Sequence, residues 1–244
     1  MEVVPKYAAS VILIRKNFEE TADTDFEILL IKRSETMKFL GGFHAFPGGK
    51  IKDDDYIERN LKRCRGRNIN QAYNILLNQK TSFKEKKIAL SFWIAAIREV
   101  FEEVGILIAY KGDQLVDLSN KSEISRYQEH REKLIKNKIS MLEIMEMEDL
   151  FYAVDKLHYF RHFITPPLAP IRFDTRFFLT KLPEGQQRID PDYKEIADYE
   201  WLTPKASLKK YRKKEIKIIP PQYACLRGLM NKNQIKELER CHLI

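Results

Sequence analysis

Residues 7–14 read Tyr-Ala-Ala-Ser-Val-Ile-Leu-Ile, and residues 26–32 read Phe-Glu-Ile-Leu-Leu-Ile-Lys. Short, nearly continuous apolar runs rich in β-branched residues predict strands buried on both faces. Between them, 17–25 is polar and reads as a hairpin loop. From 84 to 104 the period becomes helical. Ile88, Phe92, Ala95, Ala96 and Val100 recur on one face, and Gly105 supplies the left-handed residue that follows a helix end. Trp93 in this run is expected in the core or an interface. Ala72, Ile75 and Leu76 mark a shorter helix within 70–79. Residues 112–118 read as a short loop or strand, and 122–151 as two highly charged helices with a break. Strands are predicted at 171–179 and 195–202, the second leading into a helix that starts at Pro204. Two closing helices follow at 220–230 and 234–243.

The long helix carries the candidate chemistry. Glu99, Glu102 and Glu103 stand at i, i+3 and i+4, which places three carboxylates on one face within about 5–6 Å of their neighbours. Like charges so close repel, and carboxylate oxygens are the preferred ligands of a hard divalent cation. On this pattern alone a solvated glutamate-rich face stays open. Upstream, Phe46-Pro47-Gly48-Gly49 is a turn of the kind that lets backbone approach a ligand closely.

Together the two stretches resemble the Nudix hydrolase signature, G-x5-E-x7-R-E-U-x-E-E-x-G-U with U a bulky aliphatic. Its second half matches at every fixed position from Arg98 to Ile106. The first half departs twice: the first glutamate falls at Asp55, and the seven residues expected before Arg98 are forty-two, 56 to 97. A long loop adds little closure entropy, so the chemistry need not suffer. An insertion here, the Phe-Pro-Gly-Gly element and the stretch from Arg33 through Lys38 and Gly42 to Gly49 resemble a Nudix branch similar to the peroxisomal coenzyme A diphosphatases. So does the stretch 162–179.

The resemblance implies an α/β/α sandwich around a mixed sheet, elaborated as one domain over 1–244. Helices from the insertion (about 52–82) and from 122–151 would form a cap. It implies Mg²⁺ or Mn²⁺ held by Glu102, Glu103 and Glu99 (Glu99 being ligand or general base), by the Gly48 carbonyl, and by Glu195, six residues before Trp201. Arg98 would orient a glutamate through a two-pronged salt bridge. Arg33, Lys38, Phe46, Arg172 and Arg176 would meet the substrate, the last two as paired cations on one strand face. The implied substrate is a small nucleotide diphosphate, first coenzyme A or acyl-coenzyme A; ADP-ribose, dinucleotides or capped RNA are the alternative, and a non-catalytic regulator a third.

Composition narrows little further. With 244 residues, 44% hydrophobic and 32% charged, the chain reads as globular. No apolar run nears the roughly 18 residues of a membrane helix. The net charge of +8 favours an anionic partner; nucleic acid, a nucleotide diphosphate and simple solubility all stay open, and the insertion is expected either to fold over the site or to form a homodimer contact. The basic run 209–214 fits a solvated helix end, and Glu143, Glu146, Glu148 and Asp149 a solvated face. His158 and His162 fit hydrogen-bonded structure better than catalysis. Cys64, Cys225 and Cys241 show no metal-ligand spacing and are expected reduced. Residues 1–6 lack signal-peptide character and the last three do not match a Ser-Lys-Leu address, so a cytoplasmic protein is expected.

Overall fold

The computed structural model describes residues 3–19, 23–77, 83, 85–241 and 243–244. The chain enters through β1 (Lys6–Lys16) and returns antiparallel in β2 (Phe26–Arg33), as the two apolar runs predict. Two short strands follow, β3 (His44–Ala45) beside β2 and β4 (Gly48–Lys50) beside β1. After a 3₁₀ turn at Asp53–Tyr56 come α1 (Glu58–Lys62), β5 (Cys64–Arg65), α2 (Ile69–Leu76) and the long α3 (Lys87–Val104). The helix expected from 84 thus begins at 87, residue 84 itself lying outside the described residues. So do 78 and 79 of the shorter predicted helix, and 20–22 of the hairpin loop.

Past α3, a hairpin of β6 (Ala109–Lys111) and β7 (Gln114–Leu115) occupies the stretch read as loop or strand. The predicted pair of charged helices is α4 (Lys121–Ile135) and α5 (Met141–Met147). Then come β8 (Leu150–Ala153), β9 (His158–Ile164), β10 (Phe173–Lys181) and β11 (Ile196–Leu202). The chain closes with α6 (Pro204–Arg212), α7 (Pro220–Leu229) and α8 (Ile235–Arg240). Thr203 caps α6 by accepting from the Ala206 amide, and Pro204 opens it.

The main sheet has the order β11-β2-β1-β10-β9, with β1 and β10 parallel and the other pairs antiparallel. Alternation along β1 divides the core. Val11 and Leu13 pack toward α3, whereas Ile12 and Ile14 pack against Leu208 of α6 and Leu226 and Leu229 of α7. This is the expected α/β/α sandwich on a mixed sheet.

A second sheet, ordered β5-β8-β6-β7, comes from the insertion and the stretch after α3. Its β5 runs parallel to β8, pairing Cys64 with Tyr152. Two residues are too few to show a strand period, so β5 is not among the expected elements, and β8 begins inside the stretch read as helical. This sheet adds core on the far side of α3, whose residues from Ala89 to Val104 are buried apart from a half-buried Glu102. A helix covered on all sides has no polar stripe, and α3 is accordingly apolar from Ile88 to Ile97 apart from buried Ser91. Trp93 is core, its indole donating to the Leu157 carbonyl at 2.9 Å. The insertion and the charged helices are tied by Arg59 to Glu146 and by Arg63 to the Met145 and Leu150 carbonyls. Of the acidic residues near 143–149, Glu143 and Asp149 are exposed, as a solvated face would be, whereas Glu146 pairs with Arg59 and Glu148 meets Arg126 at 3.3 Å and His130 at 2.8 Å. The three cysteines are free. No helix among the described residues is long and apolar enough to cross a membrane.

Candidate active site

The last turns of α3 lie against β4. A Cβ at Gly48 would collide with the Ala9 carbonyl oxygen and come within 2.6 Å of the Ser10 Cα, so glycine is what allows β4 to pair with β1 here. A Cβ at Gly49 would lie 2.5 Å from the Glu99 carboxylate. The turn thus admits a carboxylate against bare backbone, and the Gly48 amide donates to Glu103 Oε2 at 2.9 Å.

Arg98 braces the helix. Its Nε and Nη2 donate to the two Asp55 oxygens at 2.9 and 2.8 Å, and Nη2 also reaches the Lys50 carbonyl at 2.8 Å. Nη1 donates to Glu99 Oε1 at 2.6 Å and lies 3.3 Å from both Glu102 oxygens. The two-pronged bridge expected to orient a glutamate is therefore made to Asp55, and Glu99 and Glu102 share Nη1. Asp55, shorter than the glutamate of the pattern, is buried and also accepts the Lys52 amide at 2.8 Å. Lys52 was not singled out from sequence; its Nζ reaches Glu102 at 3.1 and 3.3 Å.

Burial raises the pKa of the Glu103 carboxyl well above the usual range, and repulsion from Glu99 and Glu195 adds to this against the Gly48 amide and Arg33. Burial likewise raises Glu99, opposed by Arg98 and reinforced by Glu102. Glu195 sits on the surface just before β11, where Ile196 pairs with Arg33 and the Ser34 amide donates to the Glu195 carbonyl at 2.7 Å. The fold thus brings Glu99, Glu102, Glu103, Gly48, Glu195 and Arg33 to one place. Arg33 Nε is buried without a hydrogen-bond partner among the described residues. Lys38 lies exposed in the loop that follows.

Three expected substrate contacts lie elsewhere. Phe46 is buried in the second core cluster, edge-on to Phe177 at 6.4 Å, because the turn that frees Gly48 points this ring inward. Arg172 precedes β10 and donates to the Thr165 and Val3 carbonyls at 3.0 and 2.7 Å. Arg176 is fully buried beneath α3, pairing with Asp174 and lying 4.9 Å from the Phe92 ring; burial lowers its pKa to about 10. These arginines hold strands together and do not offer two cations to a diphosphate. His162 Nε2 donates to Asp174 Oδ1 at 2.6 Å, a structural bond as expected.

Among the described residues no three carboxylate, imidazole or thiolate side chains converge closely enough to hold a cation as they stand. Glu102 is drawn to Lys52 and Arg98, and Glu195 stands at the surface. The chemistry of the donor set nonetheless fits a hard divalent ion: two buried, mutually repelling carboxylates beside a third leave negative charge that a dication would offset.

A mixed sheet between helical layers, with a glutamate-bearing helix set against a Gly-Gly strand, is the architecture of Nudix hydrolases. A Nudix hydrolase from Alicyclobacillus acidocaldarius has this fold with a TM-score of 0.72 and 25% identity, over 96% of this chain and 95% of that one. The chain belongs to the NUDT19 Nudix domain family, whose model matches residues 5–229. The acyl-coenzyme A diphosphatase NUDT19 of Xenopus laevis is 25% identical over 248 residues, covering 91% of this chain and 64% of that protein. The putative nudix hydrolase 7 of Caenorhabditis elegans is 28% identical, covering 96% of this chain and 62% of that protein. The chain thus spans less than two thirds of the length of these two relatives.

Proposed function

We propose that this protein is a divalent-metal-dependent diphosphatase that cleaves coenzyme A or acyl-coenzyme A into 3′,5′-ADP and (acyl-)phosphopantetheine. The observation that carries the reading is the pairing of buried Glu99 and Glu103 against Gly48–Gly49, with the unpartnered Nε of Arg33 beside Glu103. Support for the coenzyme A part comes from the Arg33-to-Gly49 element and from the relatives named as acyl-coenzyme A diphosphatases.

Glu99, Glu103 and the Gly48 carbonyl would hold Mg²⁺ or Mn²⁺, joined by Glu102 and Glu195. When bound, the ion supplies charge neutralisation of the diphosphate and greater acidity of coordinated water. A diphosphate carries about two negative charges, and Arg33 and Lys38 present cations to them. Water attacks one phosphorus, the P–O bond to the other phosphate breaks, and a carboxylate of the cluster takes up the proton released, Glu99 being ligand or general base. Arg98, held by Asp55, keeps Glu99 in line.

Mass spectrometry of products would test this over coenzyme A, acetyl-coenzyme A, ADP-ribose, NADH, diadenosine polyphosphates and capped RNA with Mg²⁺. Fastest cleavage of coenzyme A or its acetyl ester to 3′,5′-ADP is the expected result. A tenfold preference for another substrate would overturn the coenzyme A part, and no cleavage with either metal would overturn the enzyme.

A further inference from the structure

The end of a helix leaves carbonyls without helical partners. At the end of α3, Phe101 passes its carbonyl to the Gly105 amide at 3.1 Å, and the next three residues are Glu102, Glu103 and Val104. None of their carbonyls is left to solvent. The Glu102 carbonyl accepts two bonds from Arg131 of α4, from Nε at 3.1 Å and Nη2 at 2.9 Å. The Glu103 carbonyl accepts the Asp192 amide at 2.9 Å, and the Val104 carbonyl the Asp190 amide at 3.1 Å.

The two amides belong to one segment, and Arg131 holds that segment too. Its Nη1 donates to Asp190 Oδ2 at 2.9 Å, where Gln128 Nε2 also donates at 3.2 Å. The segment then turns at Asp192, whose carbonyl accepts the Glu195 amide at 2.9 Å and the Ile196 amide at 2.8 Å. A single guanidinium, 6% exposed, therefore joins the helix turn that bears Glu102 and Glu103 to the turn that bears Glu195. A cation at this end also complements the helix dipole.

We infer that Arg131 is a positioning residue: α4, which lies outside the Nudix signature, sets the distance between Glu103 and Glu195 through its grip on the Glu102 carbonyl and Asp190. The inference rests on the proposed function for its catalytic meaning, but the mechanical coupling stands apart from it. Lysine at this position would keep a charge for Asp190 and lose the planar two-pronged grip on the carbonyl.

The test compares the full chain with Arg131→Lys, Glu195→Gln and the double variant. Amide hydrogen exchange at Asp190 and Asp192 is expected to quicken about tenfold or more in Arg131→Lys, while the main-sheet amides keep their protection. Mn²⁺ binding, followed by electron paramagnetic resonance, should weaken about tenfold, in the range that outer supports of a metal site command. In turnover, Glu195→Gln should cost less in the Arg131→Lys background than in the unmodified protein, because Glu195 is already misplaced there. Unchanged exchange at both amides, or fully additive losses, would overturn the inference. Should Arg131→Lys not fold, Asp190→Asn carries the same readouts, since it loosens the segment while the guanidinium stays on the Glu102 carbonyl. If the unmodified protein binds no Mn²⁺ and cleaves nothing, the proposed function fails, and the exchange measurement alone still decides whether Arg131 couples the two turns.

Discussion

The guanidinium of Arg98 clasps the carboxylate of Asp55 across 43 positions of chain, through parallel bonds of 2.9 and 2.8 Å, with both side chains at most 3% exposed. A buried pair gains little over apolar residues of equal shape, yet removing one member strips hydrogen bonds from the other. Asp55→Ala leaves Arg98 with Glu99 and the Lys50 carbonyl but takes away its two-pronged partner, so stability is expected to fall by about 1–3 kcal/mol, read as a shifted midpoint in urea unfolding. A loss below about 1 kcal/mol, the range of surface pairs, would contradict the buried pairing.

Glu99→Gln and Glu103→Gln should each lower turnover on the order of 10²-fold or more, the scale of losing one charge-stabilising group. The fold should survive, since each substitution removes repulsion between buried carboxylates. Mn²⁺ at 100 times its dissociation constant stabilises a folded protein by about 2.7 kcal/mol. The corresponding rise in melting temperature should appear in the unmodified protein and be absent in Glu103→Gln. Equal rises in both would remove Glu103 from the metal site.

The two glycines of the turn should respond differently. At Gly49 the new methyl group meets the carboxylate of Glu99, which can swing away, so Gly49→Ala is expected to lower turnover at least tenfold with little change in unfolding. At Gly48 it meets strand backbone, which cannot, so Gly48→Ala should cost about 1–3 kcal/mol, as overpacking does. Paired activity and melting measurements separate the two.

Arg33 and Arg176 form a second contrast. Arg33→Ala should raise KM about tenfold or more, as loss of a charge-assisted bond to a phosphate does, and leave stability nearly unchanged. Arg176→Met should alter stability and leave KM within about twofold, because its partners Asp174 and Phe92 are internal. A KM effect confined to Arg176→Met would reverse the assignment.

Burial lowers the pKa of His44 below 6.5, with Lys32 and Lys210 adding to the effect and Glu200, at 4.0 Å, opposing it. His158 is lowered by burial in the same direction. The unfolded chain takes up these protons near pH 6.5, whereas the folded protein takes them only at lower pH. Stability is then full above about 6.5 and falls as pH drops through the folded values. Urea midpoints from pH 8 to 5 should show this decline, and His44→Gln should flatten it; an unaltered slope would show that His44 does not contribute.

Spacing alone was enough to put Glu99, Glu102 and Glu103 on one helix, because helical period is a local property; their nearness to Gly48, 55 residues from Glu103, came from the resemblance to the Nudix signature. Spacing was also enough for β1, β2 and β11. It misplaced Arg172 and Arg176 because strand alternation assigns a face but not what covers it, and here α3 and the neighbouring hairpin do. Arg131 carried one legible sign, its position on the α4 face shared with buried Tyr127 and Leu134. Among so many charges on that helix, one arginine on an apolar stripe does not reveal its partner 29 residues earlier. Lys52 had no sign at all, since its partner Glu102 is 50 residues away.

The parallel pairing of β5 with β8 joins two additions that lie 87 residues apart at Arg63 and Leu150. Each supplies what the other lacks: β5 is too short to stand without a neighbour, and β8 without it would present a bare edge. A shortened version of this chain cannot therefore be obtained by trimming one accretion at a time. The two stand or fall together, and giving up both would bare the far side of α3, whose apolar residues share one core with them, and would remove the arginine that α4 extends to the last turn of that helix.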